Sequence, residues 1–380
     1  MPKGGIRKMK KIVAFCLIFA IIGSFLTIFP SADSPIGISA KSAVLIDADS
    51  GSILYEKNAH EQMGMASTTK IMTALTVLWL CSADSVVKIS REAVGIEGSS
   101  VYLCEGEELT VEQLLYALLL SSANDAAVAL AIHSAGSVDR FAEKMNQYAD
   151  ALGIEDTHFT NPHGLYDDEH YTTAYSLALI AREAMKNELL RRIFSTYKAT
   201  IPFCGEPDRR LLVNHNKLLR SYDGAIGVKT GFTKKTGRTL VSAAERDGLT
   251  LIAVTLNAPD DWKDHTSMLD YGFENYERRV LYDAYEYELY MPVVGSDTEY
   301  VRLTNSLPLA LTLKKGDLSA SERVLSSYRF VFAPCNEGKE LGMLELSANG
   351  NTVSSPLVTT EEVCAPSRQK HFPYKLFKKD

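Results

Sequence analysis

Three short clusters of polar residues in this chain have the types and spacing to do chemistry: Ser67-Thr68-Thr69-Lys70, Ser122-Ala123-Asn124 and Lys229-Thr230-Gly231. Together they supply a hydroxyl nucleophile, two amines, a second hydroxyl and an amide, the set that acyl transfer through a covalent serine ester requires. Each pattern alone is weak. Ser-x-x-Lys also occurs at Ser85/Lys88, Ser195/Lys198 and Ser367/Lys370, Ser-Ala-Asn recurs from Ser347 to Asn349, and Lys-Thr-Gly recurs from Lys235 to Gly237. The element carrying each copy has to decide among them.

A serine hydroxyl needs a base within hydrogen-bond reach to attack at neutral pH. On a helix, positions i and i+3 share a face, with Cβ atoms about 5–6 Å apart, so Ser67 and Lys70 would meet. They open the run Ile71 to Leu80, which is apolar nearly all round and reads as a helix buried on every side. A helix N-terminus also favours the negative charge that develops at an attacking serine. Ser85 is followed by two valines and reads as a strand, Ser195 precedes no apolar helix, and Ser367 lies in a tail. Lys70 must be neutral to accept a proton. Burial and a second ammonium, for which Lys229 is the candidate, both lower a lysine pKa.

Thr110 and Gln113 form a capping box ahead of Leu114-Leu115 and Leu118 to Leu120, and a second helical stretch runs from Asp125 to Ile132. Ser122 and Asn124 therefore sit on a tight connection that two helices hold rigid. Ser122 is assigned the relay of a proton to the leaving amine, and Asn124 the orientation of Lys70 and of a substrate amide. The copy from Ser347 falls in a predicted β-turn, where Ser and Asn are expected for turn reasons alone. Lys229 is expected to end the apolar strand from Ala225 to Val228. With Thr230 it would bind a substrate carboxylate, and Gly231 lets a substrate backbone approach closely. The second Lys-Thr-Gly reads as a polar turn. Backbone N–H groups of Ser67 and Phe232 would form an oxyanion hole, commonly worth about 3–4 kcal/mol per donor.

The elements that position these residues suggest an α+β layout. β-like runs at Ser42 to Asp47 and Ile53 to Tyr55 flank Asp49-Ser50-Gly51, and runs at Thr239 to Glu245 and Leu249 to Leu256 flank Asp247-Gly248. Between these hairpins the sequence is mainly helical, so an antiparallel sheet assembled from the two ends of residues 41–278 would carry an inserted helical region. From 279 to 366 short strands are expected at Tyr282 to Val294, Val301 to Leu303, Leu309 to Leu313, Arg329 to Phe332 and Gly342 to Leu346, separated by turns such as Asn349-Gly350. That pattern predicts a small β domain.

Residues 1–32 differ from the rest. Five basic residues between Lys3 and Lys11 precede an apolar run from Ile12 to Phe29, the pattern of an export signal cleaved after Ala32 or Ala40. An uncleaved anchor is the alternative, and either exports the domain. The basic tail 367–380, with Phe372, Tyr374 and Phe377, is expected to be a solvated end, with peripheral contact to an anionic membrane as the alternative. A net charge of −7 with no basic face gives no reason to expect nucleic acid. Of the 6 cysteines, Cys16 lies in the leader and no CxxC or CxxH spacing suggests a metal. The remaining cysteines are read as mostly buried small hydrophobes, with disulfides open. The histidines, among them His163, His170 and His265, have no Gly-x-Ser-x-Gly serine to serve. No cofactor is implied.

Taken together, these residues resemble the penicillin-recognising serine peptidases, and more narrowly the low-molecular-mass D-alanyl-D-alanine carboxypeptidases. The resemblance spans about residues 41–365 and includes Asn161-Pro162-His163-Gly164-Leu165, Thr172-Thr173-Ala174 and Gly227 to Thr233. It implies a β-lactamase/transpeptidase-like catalytic domain and a smaller β domain after it. It also implies acylation at Ser67, base function at Lys70, proton relay at Ser122 and substrate binding at Lys229. The peptidoglycan stem peptide would be the substrate, and β-lactams, which mimic its D-Ala-D-Ala end, would be inhibitors. Ser176 stands where relatives often have Asp, and Thr236 where they often have Ala. The stretch Asp260 to His265 occupies the place of an arginine near the substrate carboxylate, with Lys263 and His265 as stand-ins.

Three rivals share parts of this pattern. A class A β-lactamase needs a glutamate for its deacylating water, and the corresponding stretch here reads Glu155-Asp156-Thr157-His158 before the Asn161 signature. A non-catalytic wall-binding protein would tolerate loss of a catalytic member, and none is lost. A DD-endopeptidase that cleaves cross-links uses the same machinery.

Overall fold

The computed structural model of the protein describes residues 36–366, apart from 205, 318, 326, 327, 349 and 350. The expected leader, the basic tail with Ser367, and the Asn349-Gly350 turn lie outside the described residues. In chain order, β1 (Ser42–Asp47) and β2 (Ile53–Lys57) form a hairpin, and a 3-10 turn (Ala66–Thr69) leads into α1 (Lys70–Leu80). β3 (Val86–Lys88) and β4 (Glu108–Thr110) pair ahead of α2 (Val111–Leu120), α3 (Asn124–Ala135) and α4 (Val138–Ala151). Then come α5 (Ala174–Lys186), α6 (Glu188–Ser195), the hairpin of β5 (Lys198–Phe203) and β6 (Glu206–Val213), and α7 (Leu218–Ser221). β7 (Ala225–Thr233), β8 (Gly237–Arg246), β9 (Leu249–Leu256) and α8 (Asp261–Asn275) complete this half.

The first and last strands meet in one antiparallel sheet of order β2-β1-β9-β8-β7, with the helical region inserted between them, as the α+β reading expects. Alternation along the strands explains why they are apolar on both faces. Val44, Ile46, Ile252 and Val254 join the core that contains Ile71 and Ile180. Leu45 and Leu251 meet α8 instead, where a Cβ on Gly272 would lie 2.5 Å from Leu251 Cδ1 and 2.9 Å from Leu45 Cδ2. The tight turn between β8 and β9 carries Asp247 at φ 49° and Gly248 at φ 78°, the positive pair that fits the right-handed twist of a two-residue hairpin.

The helix α1 is buried from Lys70 to Val77 and its N-cap Thr69 makes no side-chain capping bond. Burial alone sets its place, each fully buried aliphatic side chain contributing about 1.5–3 kcal/mol. The opposite holds for α2, where both capping-box bonds form: Thr110 N–H to Gln113 Oε1 at 2.9 Å and Gln113 N–H to Thr110 Oγ1 at 3.2 Å.

Several expectations are corrected. Ser67 does not open the α-helix; it lies on the 3-10 turn before it, because the Thr68 and Thr69 hydroxyls bind the Met65 and Ala66 carbonyls and compete with helical bonding. Lys229 is mid-strand, since β7 continues through Thr233 in register with Gly237. The hairpin β5–β6 lies within the mainly helical region, in a stretch to which sequence reading assigns no element. Cys104 and Cys204 are joined in a disulfide across 100 residues, Cys81 is partly buried and Cys364 exposed, so only Cys335 fits the expected buried thiol.

Beyond α8 the regular elements of the described residues are all β-strands. β10 (Tyr276–Tyr282), β11 (Leu289–Val294), β12 (Tyr300–Asn305) and β13 (Leu309–Lys314) are followed by β14 (Ser321–Leu325), β15 (Val331–Phe332), β16 (Glu340–Ala348) and β17 (Asn351–Thr359). A sheet of order β14-β16-β17-β12-β11-β15 and the pair β10-β13 enclose a second core containing Val301, Leu303, Leu311, Leu344 and Leu357. Of the strand expected at Tyr282 to Val294 only Leu289–Val294 forms as β11; β10 ends at Tyr282, and the turn between them has Tyr285 at φ 67°. The strands β14 and β17 lie where none was expected. Only two residues of Arg329 to Phe332 pair, and they do so in parallel with β11.

Candidate active site

Lys70 lies at the first turn of α1 with no exposed surface. Its Nζ sits 3.0 Å from Ser67 Oγ, 2.7 Å from Asn124 Oδ1 and 2.7 Å from the backbone oxygen of His163. Burial, then the charge of Lys229, holds its pKa well below the ordinary lysine range, with Asp125 acting in the opposite direction. A neutral amine has two N–H groups and one lone pair. The two carbonyl oxygens can only accept, so they take both N–H groups and leave the lone pair facing Ser67. The amine is thus oriented as a base toward the hydroxyl beside it.

Segment 160–170 wraps the nucleophile turn through its backbone. Thr73 Oγ1 donates to the Pro162 oxygen at 2.6 Å, one residue before the His163 carbonyl that holds Lys70. Gly164 has φ 85°, and a Cβ there would come 1.9 Å from the Ala66 oxygen. Only glycine lets this segment lie flush against the turn. Asn161 Oδ1 accepts the Gly164 N–H at 2.7 Å and fixes the loop. The ring of His163 is held neutral, its pKa pushed down to about 3 by burial and the Lys70 charge.

Ser122 lies on the three-residue connection between α2 and α3, as read from the sequence, and Asn124 is the first residue of α3. Ser122 is 5% exposed at φ 58°, a conformation that side chains other than glycine hold only when the surroundings fix it. Asn124 Nδ2 donates to the Glu97 oxygen at 2.6 Å, which leaves Oδ1 for Lys70. The loop it grips is itself anchored. Asp125 accepts Val101 N–H, Leu103 N–H and Ser100 Oγ–H, with Ser100 at 2.6 Å. Arg210 donates to the Val101 and Tyr102 oxygens and forms a buried pair with Glu107 at 2.5 and 2.8 Å. Glu107 also accepts the backbone N–H groups of Cys104 and Cys204 at 3.1 and 3.0 Å. Sequence reading missed this whole support, because most of its partners lie 22 to 109 positions apart. The same three groups, Cys104, Cys204 and Glu107, have metal-ligand character, but the sulfurs are bonded to each other and the carboxylate to Arg210.

β7 forms the other wall. Lys229 is 1% exposed, its Nζ donates to the Thr230 oxygen at 2.8 Å, and burial lowers its pKa to about 7. The Lys229 charge adds to burial in favouring the neutral form of Lys70. A Cβ on Gly231 would lie 3.0 Å from Ser67 N and 2.3 Å from Thr239 Oγ1, so the strand runs hard against the nucleophile turn. Thr239 Oγ1 donates to the Met65 oxygen at 3.0 Å and ties β8 to that turn as well. Phe232 follows on the strand, its ring 62% exposed at the rim.

The stand-ins for a second carboxylate contact fare differently. His265 is fully buried, with Nδ1 2.7 Å from Ser242 Oγ and Nε2 2.9 Å from Thr255 Oγ1, so both ring nitrogens are occupied between α8 and the sheet. Burial holds it neutral, at about 3, and it cannot bind a substrate carboxylate. Lys263 is exposed. Thr236 lies against Gly64, and Ser176 is spent on the N-terminus of α5, where its N–H meets Thr173 Oγ1 at 3.0 Å. Glu155 and Asp156 are exposed, away from Lys70 and its partners. The other Ser-x-x-Lys copies that are described fall where the sequence put them, Lys88 on β3 and Ser195 at the end of α6.

Comparisons with known proteins identify the family and the fold. A family model described as D-alanyl-D-alanine carboxypeptidase matches residues 30–260. The carboxypeptidase DacF of Bacillus subtilis is 34% identical over 374 residues, covering 93% of this chain and 95% of the relative. DacA of Escherichia coli is 31% identical, covering 86% and 84%. Among solved structures, penicillin binding protein 5 of Haemophilus influenzae superposes with a TM-score of 0.71 at 29% identity over 87% of this chain and 99% of its own. A peptidoglycan synthesis regulatory factor (PBP3) of Streptococcus pneumoniae does so at 0.76 and 27% identity, over 86% and 100%. With the serine, its oriented lysine and the matching fold in place, the chain belongs to the D-alanyl-D-alanine carboxypeptidase family.

Proposed function

We propose that this serine-type carboxypeptidase removes the terminal D-alanine from peptidoglycan stem peptides through an acyl-enzyme on Ser67. The observation that carries the reading is Lys70 Nζ at 3.0 Å from Ser67 Oγ, with two acceptors at 2.7 Å that can take its protons. Lys70 takes the hydroxyl proton as Oγ attacks the carbonyl carbon of the penultimate D-alanine. The N–H groups of Ser67 and Phe232 receive the oxyanion. The proton then passes through Ser122 to the leaving amine, the C–N bond breaks, and D-alanine departs. Water returns by the same route to hydrolyse the ester.

Asn124 orients Lys70 and the substrate amide, Lys229 and Thr230 bind the terminal carboxylate, and Gly231 admits the substrate backbone. A β-lactam presents a strained amide and a carboxylate to the same groups and acylates Ser67. The exposed positions of Glu155 and Asp156 argue against a β-lactamase. The basic, apolar start of the chain supports export, and the basic aromatic tail supports peripheral contact with an anionic membrane. Among the described residues no helix is long and apolar enough to cross a membrane. The β domain from 279 to 366 would set the catalytic domain at a distance from that surface.

Incubation with a pentapeptide muropeptide, followed by mass spectrometry, tests the reading. Loss of one alanine by the wild type and none by Ser67→Ala is expected. Rapid β-lactam turnover without alanine loss would identify a lactamase instead, and cleavage of dimeric cross-links in preference to pentapeptide would identify an endopeptidase.

A further inference from the structure

The Ala66–Ser67 peptide is trans and planar, so the Ala66 carbonyl and the Ser67 N–H lie in one plane and point in opposite directions. Whatever holds the Ala66 oxygen therefore aims the Ser67 N–H. That oxygen accepts the hydroxyl proton of Thr69 at 2.7 Å. Thr69 Oγ1 lies 2.7 Å from His170 Nε2, and because its own proton is committed to Ala66 it accepts from the ring. His170 Nδ1 faces the backbone N–H of Thr160 at 3.1 Å. A backbone amide can only donate, so Nδ1 carries no proton and the ring proton sits on Nε2. The result is a one-way chain: Thr160 N–H to Nδ1, Nε2–H to Thr69, and Thr69 O–H to Ala66.

We propose that His170 is a positioning residue which, acting through Thr69, fixes the Ala66–Ser67 peptide plane and so aims the Ser67 N–H at the oxyanion of the tetrahedral intermediate. The inference rests on the reading of Ser67 given above and extends it to a residue outside the three motifs. Three observations agree with it. Ala66 is held at φ 48°, a conformation that persists only where neighbours impose it. The absent side chain of Gly164 lets the segment that carries His170 close on the Ala66 oxygen and Thr69 Oγ1, which a Cβ there would meet at 1.9 and 2.8 Å. His170 is 4% exposed, packed edge-on to Phe159, and burial lowers its pKa to about 4, which keeps the ring in the single-proton form the chain needs.

The test compares Thr69→Val, His170→Asn and His170→Gln. Gln places an amide N–H near the Nε2 position, whereas Asn places one near Nδ1 and leaves Thr69 unserved. Removal of an oxyanion donor typically lowers kcat about 10²–10³-fold, so its misdirection should lower kcat by roughly 10- to 100-fold. Thr69→Val and His170→Asn should show that loss with KM nearly unchanged and a parallel fall in the acylation rate by a fluorescent penicillin. His170→Gln should recover most of kcat. Wild-type kcat in Thr69→Val would overturn the inference, as would His170→Gln failing as badly as His170→Asn with losses that follow the thermal midpoint. Ser67→Ala separates the two levels. Alanine release surviving that change would overturn the nucleophile and this inference with it, whereas an inactive Ser67→Ala beside a fully active Thr69→Val would overturn the inference alone.

Discussion

Lys70 Nζ lies 2.7 Å from the backbone oxygen of His163, so one of the two acceptors that orient the base is a main-chain atom. The other is the side chain of Asn124, also at 2.7 Å. Asn124→Asp replaces a neutral acceptor with a carboxylate that stabilises the ammonium, and an opposite charge at that distance raises a lysine pKa by about 1–3 units. Lys70 would then stay protonated to higher pH. The acid limb of the acylation rate, measured with a chromogenic β-lactam across pH, should move upward; an unmoved limb would show that Lys70 is not the group that titrates.

Lys229, with its pKa lowered to about 7, is cationic below that pH and neutral above it. KM for a peptide ending in a free carboxylate should therefore rise as pH passes upward through about 7, while the C-terminal amide should show no such limb. Lys229→Gln should erase the pH dependence and raise KM about 10- to 100-fold, the worth of one hydrogen bond to a charged group. Steady-state kinetics on the two peptides decide the matter.

Gly164 and Gly51 both have positive φ, at 85° and 81°, but differ in what a side chain would meet. At Gly164 a Cβ would come 1.9 Å from the Ala66 oxygen, whereas at Gly51 the nearest atom is Arg182 Nε at 3.5 Å. Gly51→Ala should cost about 1 kcal/mol for backbone conformation. Gly164→Ala should cost more than about 2 kcal/mol and depress acylation, because the Ala66 turn must shift. Denaturant unfolding of both variants measures the difference, and equal losses would place the clamp elsewhere.

The Cys104–Cys204 bond closes a stretch of 100 residues that includes Ser122 and Asn124 and begins just after the loop that Asn124 grips. Its reduction should lower stability by about 3–5 kcal/mol. Unfolding midpoints with and without reductant should diverge in the wild type and coincide in a variant carrying Cys104→Ser and Cys204→Ser.

Parts of this architecture were legible because they are local. The capping box at Thr110 and Gln113 and the hairpin at Asp247-Gly248 are decided by atoms a few residues apart, and both form as read. The run from Ile71 to Leu80 is apolar enough that no arrangement other than burial suits it, and its buried lysine marked the base. Ser67 and Lys70 could be paired because the apolar run that follows them singles out this copy of a spacing that occurs four times.

What decided the rest was contact between distant segments. The His163 carbonyl carries no side-chain signature, so nothing in the sequence could nominate it as the partner of Lys70. His265 looked available for a carboxylate until the sheet placed Ser242 and Thr255 against its two nitrogens. The pairing of Cys104 with Cys204, the Glu107–Arg210 pair beside it and the strands β5 and β6 that bring them together depend on which chain segments meet. The chemical groups, and the helix and turn that present them, follow from composition and short-range bonding. Their protonation and aim come from contacts between distant segments, because a lysine becomes a base when burial removes its water and fixed acceptors take its protons.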